Sequence, residues 1–95
     1  MNSQLIWGDK VIDSTARLPL SVKTLAPREL QLLRLLAAGF TAEQMADHLN
    51  LSFHTVRAYL QLLYAKLGAN NAANAVALGL SYGLIEQKDV EAAWE

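Results

Sequence analysis

No cysteine occurs in the 95 residues, which excludes disulfide staples and thiolate metal sites and fits a reducing compartment. Charge is scarce and unbiased: Asp, Glu, Lys and Arg make up 18% of the chain, eight basic residues stand against nine acidic ones, and the net charge is −1. Dedicated nucleic-acid binders carry a basic surplus that attracts phosphate, so any DNA contact here must arise from local placement. The two histidines have no carboxylates at ligand spacing, which argues against a metal site, and no cofactor is expected. There is no apolar run of about eighteen residues, and no amino-terminal basic segment leading into an apolar core. The chain is therefore read as cytoplasmic, neither secreted nor membrane-spanning. No nucleophile and base, phosphate-cradling glycine loop or paired carboxylates can be assembled, so it is not expected to be an enzyme.

Apolar side chains are abundant, at 53% of residues with a mean hydropathy of +0.16. A minimal domain buries only about 60% of the surface its unfolded chain exposes, so such an apolar excess is expected to be covered in part by a partner. The organising stretch is residues 40–68, FTAEQMADHLNLSFHTVRAYLQLLYAKLG. It divides into a short helix, the turn Leu49-Asn50-Leu51-Ser52, and a longer helix in which Val56, Leu60, Leu63 and Leu67 recur at helical spacing. Two helices joined by so short a turn bury their facing sides together, which leaves the outer face of the second to enter a DNA groove. That outer face centres on His54, Arg57, Ala58, Gln61 and Ala65. Phe53 and Tyr64 lie beside Arg57 on the helical wheel, either as an exposed protein-contact patch or packed on the body of the domain.

Residues 1–24 differ in character. Leu5-Ile6-Trp7 and Lys10-Val11-Ile12 around Gly8-Asp9 fit a short β-hairpin, and a disordered arm with one apolar Trp fits equally well. Pro27 suits the first position of helix one, Leu30, Leu32, Leu33, Leu35 and Leu36 form its broad apolar stripe, and Gly39 ends it. Thr41 and Gln44 make a capping box for helix two, Ser52 an N-cap for helix three, and Asn70 or Asn71 a cap for helix four over residues 72–82. Helix four is rich in Ala and Gly, which permit close helix approach, and so is expected to form the dimer contact. Residues 86–94 read as a short acidic helix carrying Trp94.

In this order the residues resemble the LuxR-type, or GerE-type, DNA-binding domain of bacterial transcription regulators. The resemblance runs over residues 25–85 and rests on Leu25, Arg28-Glu29, Leu33, Leu35, Ala38-Gly39, Thr41, Ala46, Leu49, Leu51-Ser52, Thr55-Val56-Arg57, Lys66-Leu67-Gly68, Ala75-Val76 and Gly83-Leu84-Ile85. It implies an all-α, four-helix helix-turn-helix domain, here with an amino-terminal arm (1–24) and a carboxy-terminal extension (86–95). Helix three would lie in the major groove of double-stranded DNA and helix four would form a homodimer over inverted-repeat promoter sites. Carried over by position, Ser52, Thr55, Arg57, Ala58, Gln61 and Lys66 are the expected DNA contacts; His54 joins them from its place on the outer face of helix three, and Ala75, Leu78, Gly79 and Tyr82 of the small-residue helix four are the expected dimer contacts. With only 24 leading residues the resemblance implies a stand-alone domain, governed by concentration, a partner or dimerisation.

The departures point the other way. Ala26 replaces a hydroxyl residue common in the family, Gln44 a Glu, Tyr59 a His and Ala72 an Arg. Ala65, Phe53 and His54 stand where polar or charged residues are usual. Residues 24–85 hold four basic residues (Arg28, Arg34, Arg57, Lys66) and three acidic ones (Glu29, Glu43, Asp47). Two functions follow: a transcription regulator that reads promoter DNA, or an interaction module that forms mixed dimers with another regulator and binds DNA weakly or not at all.

Overall fold

The computed structural model describes Val22 and residues 25–92. Among these residues there are five helices and no strand: α1 (Pro27–Ala37), α2 (Ala42–Leu49), α3 (Phe53–Leu67), α4 (Ala72–Ser81) and α5 (Gln87–Ala92). The all-α, helix-turn-helix expectation holds. The hairpin or arm around Trp7 and the second Trp94 lie outside the described residues.

Local chemistry sets the boundaries. The Thr41 hydroxyl accepts from the Gln44 N–H at 3.1 Å while the Gln44 side chain accepts from the Thr41 N–H at 2.9 Å, so the expected capping box forms in full. Asn71 caps α4 through the Asn74 N–H at 2.8 Å, and Asn74 returns an acceptor to the Asn70 N–H at 3.0 Å. Each such cap stabilises by about 1 kcal/mol. At the other ends, Asn50 (φ 57°) and Gly68 (φ 74°) take left-handed backbone. This turns the chain so that the N–H groups of Leu51 and Ala69 reach back to the carbonyls of Ala46 and Tyr64, at 2.9 and 2.8 Å. Phe40 and Leu84 close α1 and α4 with the same backward bond.

Packing has α1 and α3 at its centre. Helix α1 touches α3, α4 and α5, and α3 touches α1, α2 and α4. Leu32, Leu33 and Leu35 of α1 are buried together with Met45 and Ala46 of α2, Val56, Leu60, Leu63 and Leu67 of α3, and Val22 and Ile85 from outside these helices. All four residues read as the inner stripe of α3 are thus in the core. Arg34 of α1 reaches Asp89 of α5 at 3.8 Å.

Helix α4 turns small residues toward the body of the domain. Ala75 and Gly79, expected at a subunit contact, are buried inside the chain. A Cβ on Gly79 would lie 2.9 Å from Leu33 Cδ2 and 3.3 Å from Ile85 Cδ1, so small residues on this face serve the approach of α4 to α1. Leu78 and Tyr82 are half-buried, and the outward face carries Ala73, Ala77 and Leu80, the last 53% exposed. Gly79→Val is expected to lower unfolding free energy by about 2 kcal/mol through overpacking, whereas Ala77→Gln should change it by less than about 0.5 kcal/mol. Equilibrium urea unfolding of the two variants checks this.

Candidate nucleic-acid interface

The turn between α2 and α3 is Asn50-Leu51-Ser52. Its last residue starts α3: the Ser52 hydroxyl accepts from the Thr55 N–H at 3.0 Å and donates to Thr55 Oγ1 at 2.8 Å. With Ser52 so committed, the Thr55 hydroxyl keeps its own proton to donate outward. Ser52, His54, Thr55, Arg57, Ala58 and Gln61 are all exposed on one side of the domain, opposite the buried stripe that anchors α3.

Lys66 stands apart from them. Nine residues, or about two and a half turns, separate it from Arg57, so the two side chains leave α3 on opposite flanks. Lys66 Nζ lies 3.0 Å from Glu29 Oε1, and the Glu29 side chain is only 6% exposed. The same carboxylate oxygen accepts from the Ala26 N–H at 2.8 Å. Alanine has no acceptor with which to cap α1, so Glu29 supplies the capping bond that remains and also ties the start of α1 to the end of α3. Glu29 was visible in the sequence only as part of a motif and as an acidic count. Its position three residues after the N-cap was the signal for the capping half of its role.

On the opposite flank Arg57 has aromatic company. Its guanidinium carbon lies 5.7 Å from the centroid of the Phe53 ring, one turn earlier. The His54 ring meets Phe53 edge to face at 5.9 Å. Among the described residues no carboxylate lies within ion-pair distance of Arg57, whereas Arg34 and Lys66 are each paired with one. Arg57 and Gln61 line an open concavity of about 430 Å³ with Phe40, Met45 and Tyr64, and Ala72 leaves it unfilled where the resemblance led to an arginine. Tyr64 is half-buried there; burial pushes its phenol above the ordinary range, and the charge of Arg57 pulls it partly back. His48 packs edge to face on Phe40 at 5.4 Å. No cluster of three His, Asp or Glu among the described residues could hold a metal ion, and no described helix is long and apolar enough to cross a membrane.

Residues 23–78 match the bacterial regulatory proteins of the luxR family. The chain belongs to that family. Over 86 residues this luxR-family chain is 40% identical to the HTH-type quorum sensing-dependent transcriptional regulator VjbR of Brucella ovis, covering 90% of the chain and 31% of that protein. VjbR of Brucella abortus gives the same figures. Over 67 residues the chain is 42% identical to the probable transcriptional regulatory protein SgaR of Hyphomicrobium methylovorum, covering 70% of the chain and 32% of that protein. The luxR-family chain thus spans about a third of the length of these curated relatives. No solved structure matches it significantly. The family and these relatives are transcriptional regulators, not enzymes.

Two measurements test this geometry. Glu29→Ala removes a cap and leaves Lys66 half-buried without this partner, which should cost about 2–3 kcal/mol; Glu29→Gln, which keeps an acceptor for Ala26, should cost less in the same urea titration. The second follows the Tyr64 phenol by ultraviolet difference spectroscopy. Its folded pKa lies above the unfolded value of about 10, so its contribution to stability is complete below that pH and is lost as pH rises through the folded value. Arg57→Ala should move the Tyr64 transition higher still, and an unchanged transition would separate the two groups.

Proposed function

We propose that the chain regulates transcription by binding promoter DNA as a dimer, with α3 of each copy in successive major grooves about one helical turn apart. The observation that carries this reading is the outer face of α3, where Arg57 is exposed, has no carboxylate in ion-pair range among the described residues, and has Gln61 one turn further along. An arginine so placed pairs bidentately with guanine O6 and N7, at about 1–3 kcal/mol of discrimination, and a glutamine matches adenine N6 and N7. Ser52, His54, Thr55 and Ala58 border the same face, with the Thr55 hydroxyl directed to a phosphate. Lys66 acts from the other flank, its ammonium held by Glu29, and adds less phosphate attraction than its charge alone would supply. The dimer forms through the outward side of α4, with Leu80 at its centre, Ala73 and Ala77 allowing close approach, and Leu78 and Tyr82 at its edges.

A second reading, in which the fold meets another regulator and binds DNA weakly, is favoured by one observation. Two of the four basic residues in 24–85 are engaged by carboxylates, while Phe53, Leu62 and Leu80 are exposed apolar side chains.

Selection from random duplex pools at low salt, with mass measured in parallel, separates the two. The first reading expects a dimer that enriches an inverted repeat, loss of specific enrichment in Arg57→Ala with the fold retained, and monomers in Leu80→Glu. A dimer that enriches nothing at low salt, where phosphate contacts are strongest, would replace it with the second.

A further inference from the structure

The structure assigns Phe53 as a positioning residue for DNA recognition: its ring holds the Arg57 guanidinium in place for a guanine in the major groove. This rests on the proposed reading of α3 as the DNA-facing helix. Phe53 is the first residue of α3, and helical side chains lean toward the amino terminus, so Arg57 falls back onto the ring of the residue four before it. The 5.7 Å separation between the guanidinium carbon and the ring centroid lies within cation–π range.

The chemistry of the pair explains why an aromatic residue serves here. A carboxylate partner would occupy N–H donors of Arg57 and cancel its charge, as Glu29 does in part for Lys66 at 3.0 Å. An aromatic face takes up no donor. It restricts the long side chain while the donors of the guanidinium stay available for guanine O6 and N7. The ring is itself steadied, since Ser52 fixes the first turn of α3 and the His54 ring lies 5.9 Å from that of Phe53. Phe53 is 36% exposed and stands outside the buried core cluster; thermal unfolding of each variant checks that the fold is kept.

The test uses the duplex selected by the wild-type protein and three variants, Phe53→Ala, Phe53→Leu and Phe53→Tyr, each also made with Arg57→Ala. Phe53→Ala and Phe53→Leu should weaken binding about 2- to 5-fold, the range of an exposed cation–π contact, and relax preference at a single guanine. Phe53→Tyr, which keeps the ring face, should restore both. With Arg57 already removed, none of the three should have further effect. Wild-type behaviour of Phe53→Leu would overturn the assignment, because bulk alone would then suffice. Equal losses in the presence and absence of Arg57 would also overturn it, by making Phe53 an independent contact. In the free protein, the Arg57 Nε–H resonance should carry a ring-current shift that Phe53→Leu abolishes. Absence of that shift, with duplex selection intact, overturns this assignment alone; failure of the wild-type protein to select any duplex overturns the DNA-binding reading and this assignment with it.

Discussion

One inward-facing carboxylate ties together the two helices at the centre of this domain. Glu29 accepts from the backbone at the start of α1 and from the ammonium at the end of α3. Without it, the first turn of α1 would lack its side-chain cap and a half-buried lysine would lose this partner. The penalty for removing one partner of such a pair is larger than the net gain from forming it. The four buried residues of α3 fix which side of the helix faces in, and the Glu29 pair fixes its far end.

The division of labour around α3 follows. One stripe is core. One flank carries Lys66, whose charge is directed to a carboxylate of the same chain. The other carries Phe53, Arg57, Gln61 and Tyr64, a mixed aromatic and cationic surface in which charge is left uncompensated. Among the described residues, Arg57 thus stands outside ion-pair range of any carboxylate and against an aromatic ring, in a chain whose net charge is −1. On the proposed DNA-binding reading, such a surface would favour recognition through a few base contacts over affinity drawn from many phosphates.

Much of this was legible in the sequence because its causes are local. Pro27, the Thr41 and Gln44 box, Ser52, Gly39 and Gly68 act on backbone groups within a few residues, so the starts of α1, α2 and α3 and the closes of α1 and α3 could be placed from local signals. The inner stripe of α3 was equally plain because Val56, Leu60, Leu63 and Leu67 recur at three- and four-residue spacing. Helix α4 was harder: Ala and Gly occupy its inner and outer faces alike, and a stripe of small residues reads the same whether it meets a second copy or α1. Glu29 and Lys66 lie 37 positions apart, and nothing at either position names the other. Arg57 and Lys66 look equivalent in a motif, and only their opposite directions around the helix separate them.

The tight seat of Gly79 against Leu33 has a consequence for geometry between molecules. Because α4 has no room to roll on α1, and α1 is fastened to α3, the outward face of α4 and the outward face of α3 keep a fixed angular relation through the rigid body between them. In the proposed pair joined through α4, the distance and phase between the two α3 helices would then be set by the interior of each subunit.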